Sequence, residues 1–252
     1  MFIDIYIIIL LFISGLVASK FLIIIGNTLP LKHHHISYCE CPNNYKVKDL
    51  IPLFSLIKSK NKCPYCHKGI PILFIFLEVL TPIIYSLSYV LYGYSYEMLA
   101  MIIISSLMII IYVSDHKYYI INDSPLLISS IIILLLKYLF FGLQTLYLSI
   151  VSGVLLFALL YILRLLGNKI FKRESLGGGD VKLAGFFGVC LGIKLSVVSV
   201  LLGALLSFPK AIYYFATHRN DEIPFGPYLI TGLFIVFLFQ NEINQFINLI
   251  IK

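Results

Sequence analysis

Two of the twelve acidic residues in this 252-residue chain stand where chemistry is possible. Asp115 closes an apolar run over 98–114, and Asp180 ends the stretch Gly177-Gly178-Gly179-Asp180 and opens a second apolar run. Both positions fall at helix ends beside a membrane, where an ionisable group is costly and usually has a task. Two carboxylates brought to contact distance in a low-dielectric site share one proton, because both cannot ionise cheaply there. The ionised member takes a proton from water and the protonated member donates to a carbonyl oxygen, which is the chemistry of peptide hydrolysis without a metal or a covalent intermediate. Three glycines before an acid allow a Cβ-free approach of a neighbouring helix or a substrate chain. A proton-coupled transporter also places acids in helices, and a helix cap at Asp180 with a boundary residue at Asp115 is the structural alternative.

These residues sit in a chain that belongs in a bilayer. Sixty percent of it is hydrophobic, 12% is charged and the mean hydropathy is +0.97, which excludes an ordinary soluble domain. Apolar stretches near 2–25, 71–92, 98–114, 125–141, 146–163, 183–193, 195–216 and 228–251 predict an all-α integral membrane protein of about eight transmembrane helices. The last two stretches before 217 are separated only by Gly192, Ile193 and Lys194, so seven spans are the alternative. The first run lacks a basic start and a small-residue cleavage site and reads as a retained helix. The expected organisation is a first helix over 1–25, a small cytosolic cysteine-containing loop domain over 26–70, and a transmembrane domain over 71–252.

The net charge of +7 records topology and not nucleic-acid binding. With the 26–70 loop in the cytosol, sixteen of the nineteen Lys and Arg residues fall on the cytosolic side, and Lys137, Lys194 and Lys252 fall outside. The loops that carry Asp115 and Asp180 then face the cytosol. Two further acids, Glu78 and Asp123, lie in or beside membrane helices. No internal repeat is visible, which weighs against an inverted-repeat transporter.

Cys39, Cys41, Cys63 and Cys66 form two close pairs in the 26–70 loop. In a reducing compartment they read as a thiolate site for a structural Zn²⁺ before they read as disulfides, and His67 or one of His33, His34 and His35 is an alternative ligand. A small loop with little apolar content would gain its fold from such a metal. Cys190 lies inside an apolar run and reads as a core residue.

The stretch Gly177-Gly178-Gly179-Asp180-Val181-Lys182 resembles the Gly-x-Gly-Asp-x-Lys motif of the type IV prepilin peptidases, intramembrane aspartyl peptidases of the bacterial cytoplasmic membrane. Asp115 with Ile121-Asn122-Asp123 is similar to the family's first aspartate and its Ile-Pro-Asp or Ile-Pro-Asn loop, with Asn122 in place of the proline. The 49–55 segment, Cys63-Pro64-Tyr65-Cys66 followed by Glu78, and Ile223-Pro224-Phe225-Gly226-Pro227-Tyr228 match further family segments in order, so the resemblance spans nearly the whole chain. Two segments depart from the pattern. Ser19-Lys20-Phe21-Leu22-Ile23-Ile24 lacks the family's asparagine, and Cys39-Glu40-Cys41 is tighter than its first cysteine pair.

The resemblance implies an endopeptidase, with Asp115 and Asp180 catalytic, that removes the leader of type IV prepilin-like precursors of pili, pseudopili or competence filaments at the cytosolic membrane boundary. It implies substrates with a basic leader and an apolar amino-terminal helix, and a second activity that methylates the new amino terminus from S-adenosylmethionine. Gly177, Gly179, Lys182, Glu78 and Asp123 are the expected supporting residues. Lys182 would act by charge proximity to Asp180, and Glu78 and Asp123 by attracting the leader's basic residues or orienting the site.

Overall fold

The computed structural model describes residues 2–30, 71–172, 174–217 and 223–250. Eight helices and no strand occur among them: α1 (Phe2–Thr28), α2 (Ile72–Tyr92), α3 (Tyr96–Tyr118), α4 (Asp123–Phe141), α5 (Leu143–Phe171), α6 (Gly178–Ala216), α7 (Gly226–Leu238) and α8 (Gln240–Ile250). Six of these, α1 to α6, are long and apolar enough to cross a membrane, and α7 with α8 makes a seventh if that bent pair is one span. The outward faces are clad in large apolar side chains such as Ile13 and Val17 on α1 and Tyr147 and Val154 on α5, as lipid contact demands. The protein is a multi-pass membrane protein.

The chain divides into two compact units, Met1–Tyr118 and Tyr119–Lys252. In the first unit α1, α2 and α3 pack on one another, with Ile23, Ile24, Phe74, Leu77, Ile109 and Val113 forming a buried cluster. A Cβ on Gly15 would lie 2.6 Å from the Pro82 Cα, so that glycine sets how closely α1 meets α2. Lys20 and Glu78 are buried in this unit and face each other at 3.6 Å.

In the second unit α4, α5 and α7 each pack on α6. A Cβ on Gly232 of α7 would stand 2.5 Å from the Ser199 carbonyl oxygen of α6, which explains the small residue at that contact. Helix α6 is broken at Gly192, whose φ of 74° and ψ of 171° suit glycine alone. The break frees carbonyl oxygens that helix geometry would otherwise engage, and side chains satisfy them. Ser196 Oγ donates to the Phe187 and Gly192 carbonyls at 2.7 and 2.6 Å, and Lys137 Nζ donates to the Val189 carbonyl at 2.7 Å and to Ser149 Oγ at 2.9 Å.

Two residues of the charge split lie inside helices, and one expected span is bent. Lys137, counted outside, is buried inside α4 with its charge on a carbonyl and a hydroxyl. Lys20, counted on the cytosolic side, lies in α1 against Glu78. Without these two the lysine and arginine split becomes fifteen to two, so the orientation argument keeps its sign. The 228–251 stretch is not one straight helix but α7 and α8, bent by 81°, because five polar residues among 240–245 cannot continue an apolar span.

Candidate active site

Asp180 is the third residue of α6. The helix begins at Gly178 with Gly177 as its cap, in extended geometry at φ −63° and ψ 144°. An acidic residue in the first turn faces the positive end of the helix dipole, which favours it there. Asp180 is buried nonetheless, at 8% exposure, so its carboxylate is held inside the protein and does not sit out in solvent.

The three preceding glycines have three different neighbours. A Cβ on Gly177 would come within 2.9 Å of the Asp180 Oδ2, so the carboxylate folds back over the bare α-carbon of its own cap. A Cβ on Gly179 would stand 2.8 Å from the Ile121 Cβ, well inside van der Waals contact. A Cβ on Gly178 would meet only the end of the Arg164 guanidinium, 3.2 Å away, and a flexible side chain can yield. The spacing Gly-x-Gly-Asp therefore has a reason in this chain: a Cβ at the middle position meets only a movable guanidinium, one at Gly179 meets the Ile121 Cβ, and one at Gly177 would displace the Asp180 carboxylate itself.

Asp115 lies in the last turn of α3, 6% exposed, next to the fully buried Ser114. The end of that helix is fastened to the end of α1. Asn27 Oδ1 accepts from Lys117 Nζ and from the Tyr118 hydroxyl, each at 3.1 Å, and Asn27 is itself buried. Asp115 belongs to the first unit and Asp180 to the second.

The supporting residues form two pairs. Lys182 Nζ donates to both oxygens of Asp123, at 2.8 and 2.7 Å, which ties the start of α6 to the start of α4, so its charge is directed to Asp123. Glu78 is directed at Lys20 inside the first unit. Asp115, Asp180 and Glu78 are the buried acids among the described residues. Of these, Glu78 has a buried cation opposite it, and Asp115 and Asp180 stand at helix ends.

Sequence reasoning passed over Asn27, Lys20 and Arg164. Asn27 lies within one turn of the point where the family's asparagine was missed, and a lone polar residue at the end of an apolar run was the available signal. The signal for Lys20 was of the same kind, a single charge inside an apolar run. Arg164 lies against Gly178, with one nitrogen 3.4 Å from Glu174, and nothing in its sequence context marks it.

No group of three or more His, Cys, Asp or Glu residues close enough to hold a metal exists among the described residues. Cys39, Cys41, Cys63 and Cys66, with the 26–70 loop and its histidines, lie outside the described residues, apart from 26–30. Cys190 is a free, buried thiol within α6.

Comparison with known proteins places these features in a family. The sequence model described as the type IV leader peptidase family matches residues 102–212, which include Asp115 and Asp180, and the model described as the bacterial peptidase A24 N-terminal domain matches residues 13–92. The prepilin leader peptidase/N-methyltransferase of Bacillus subtilis is 27% identical over 245 residues, covering 94% of this chain and 96% of that protein. The protein of the same name from Vibrio cholerae is 25% identical, covering 92% of this chain and 97% of its own length. The type 4 prepilin-like proteins leader peptide-processing enzyme of Escherichia coli is 28% identical over 81% of this chain and 75% of its own length. No solved structure matches the chain significantly. With one family model on the first two helices and the other on the segment that carries both aspartates, the chain belongs to the type IV leader peptidase family.

Proposed function

We propose that this protein is a membrane-embedded aspartic endopeptidase that removes the leader of type IV prepilin-like precursors, with Asp115 and Asp180 as its catalytic pair. The observation that carries the reading is the burial of Asp180 over Gly177 at the start of α6, in the motif segment that the peptidase family model matches. The relatives are named peptidases, which favours hydrolysis over the proton-coupled transporter as the use of these acids.

In the proposed reaction one carboxylate takes a proton from water as the water oxygen adds to the scissile carbonyl carbon, and the other carboxylic acid gives its proton to the carbonyl oxygen. Collapse of the tetrahedral species breaks the C–N bond, the amine leaves with a proton, and the shared-proton state is restored. Gly177 and Gly179 let the Asp180 backbone sit where it does, and the Lys182 pair with Asp123 holds the start of α6. The substrate has a basic cytosolic leader followed by an apolar helix, so its scissile bond lies at the membrane boundary where helix ends such as those of Asp115 and Asp180 stand. The membrane is the bacterial cytoplasmic membrane and the site faces the cytosol, a reading supported by the lysine and arginine bias. Counting α6 as two crossings at Gly192 and the bent α7–α8 pair as one gives the eight-span topology.

The zinc site of Cys39, Cys41, Cys63 and Cys66 belongs to the same proposal as a structural element of the loop after α1. Methyl transfer from S-adenosylmethionine enters through the relatives' names. The one glycine run in the chain, 177–179, is packed against Ile121 and Arg164 and offers no cradle for that donor. No methyl-transfer step is therefore assigned to the described residues.

The test is co-expression with a candidate prepilin, comparing wild type, Asp115→Asn and Asp180→Asn by the precursor's mass. Loss of processing in both variants at unchanged membrane levels supports the pair. Processing that survives either change removes the assignment and returns the transporter.

A further inference from the structure

A groove of about 450 Å³ runs along the second unit between α4, α5 and α6, and neither the peptidase reaction nor the aspartate pair uses it. Its wall is apolar, with Leu127, Leu134 and Phe157 among the lining residues, and Leu127 and Phe157 are exposed on the outer face of the helices. The one polar side chain along the wall, Ser130, is satisfied by its own helix through the Leu126 carbonyl at 2.8 Å. All the charge lies at one end, where the Asp123–Lys182 pair stands, about half exposed on each side. Apolar walls with a few polar groups gathered at one point are the usual design of a small-ligand site.

Depth and charge identify the occupant. From Asp123 to Leu134 the α4 wall rises about 16 Å, roughly half of the ~30 Å hydrocarbon thickness, so the groove is one leaflet deep with its charges at headgroup level. An apolar trough of that depth with an ion pair at its end matches one acyl chain joined to a charged headgroup. At the charged end, Lys182 has donor capacity for a phosphate, and Asp123 accepts from an N–H of an ammonium. A headgroup with both groups meets both partners. An anionic glycerol headgroup would leave Asp123 facing negative charge, and a quaternary ammonium has no N–H to donate.

We infer that the α4–α5–α6 groove is a binding site for one acyl chain of a phosphatidylethanolamine-type lipid, its phosphate on Lys182 and its primary ammonium on Asp123. Such a lipid places its headgroup two residues from Asp180, at the start of the helix that carries it.

The chain contains no tryptophan, so a single introduced one reports its surroundings alone. Phe157→Trp places the reporter in the groove, Leu127→Trp is a second groove reporter should the first fail to fold, and Ile131→Trp on the exposed face of α4 reports bulk lipid. Each full-length variant is reconstituted with increasing fractions of lipid brominated on its acyl chains and carrying an ethanolamine, choline or glycerol headgroup. The expected result is saturating quenching of the groove reporter at a several-fold lower fraction of the ethanolamine lipid than of the other two. Asp123→Asn with Lys182→Gln should abolish that preference, and Ile131→Trp should follow mole fraction with no headgroup preference. Identical curves for the three headgroups would overturn the inference in favour of ordinary annular lipid. A groove reporter that brominated lipid never quenches would overturn it in favour of a protein occupant, such as the apolar helix of a substrate.

Discussion

Gly179→Ala puts one methyl group where the packing of the candidate site is tightest. The added Cβ would lie 2.8 Å from the Ile121 Cβ and 3.3 Å from its Cγ1 and Cδ1, whereas carbon atoms in contact settle at about 3.5–4.0 Å. The start of α6 and the segment before α4 must separate by roughly 1 Å, and overpacking of this kind costs about 1–3 kcal/mol. Asp180 is the next residue, so the displacement reaches the carboxylate directly, and a misplacement of about 1 Å can reduce a rate by about 10²-fold. The assay is the first-order rate of prepilin cleavage in membranes, followed by mass, at equal enzyme levels. Because the closest clash is with the Cβ of Ile121, Ile121→Gly should restore much of the rate in the Gly179→Ala background, and Ile121→Ala should restore less. Gly178→Ala, whose methyl would meet only the movable Arg164 guanidinium, should stay within a few-fold of wild type. Wild-type cleavage by Gly179→Ala, or no recovery with Ile121→Gly in a normally folded protein, would refute the steric account of the motif.

Other positions give separate tests. Lys20→Met deprives the buried Glu78 of the ammonium 3.6 Å away and should lower stability by about 3–5 kcal/mol, while Lys20→Met with Glu78→Met should regain most of it, as read by thermal unfolding in detergent. Gly192→Ala meets no atom within 4 Å, so its cost is the backbone conformation alone, about 1–3 kcal/mol, and the same unfolding assay should show that loss without an added packing effect. The four-cysteine reading predicts one zinc per purified chain by elemental analysis, lost on Cys63→Ser with Cys66→Ser; a wild-type protein without metal would remove it.

The helical, membrane-spanning class was legible from apolar run lengths, since a bilayer leaves few alternatives for the backbone. The break in α6 was marked by Gly192 and Lys194 in an otherwise apolar stretch, and the structure places it at Gly192. Asp115 and Asp180 were legible as helix-end acids, and both are buried there. What was not legible is pairing across the fold. Lys20 and Lys137 received only a side of the membrane from the sequence, whereas they are buried against Glu78 and against Ser149 and Val189, partners separated from them in sequence. Lys182 was assigned to Asp180 by sequence proximity, but its ammonium reaches Asp123, 59 residues earlier. The bend between α7 and α8 was available in the polar residues after Phe239 and was masked by the isoleucines and phenylalanine that follow them.

The central claim is that two aspartates act as one catalytic unit. It is tested most directly by cleavage of a purified prepilin in proteoliposomes by wild type, Asp115→Asn, Asp180→Asn and the double variant. General acid–base groups typically contribute about 10²–10⁴-fold each, and residues that act as a unit are far from additive. The account predicts that either single change removes cleavage and that the double variant is no worse than either. Cleavage retained in a single variant, or losses that multiply in the double, would contradict it.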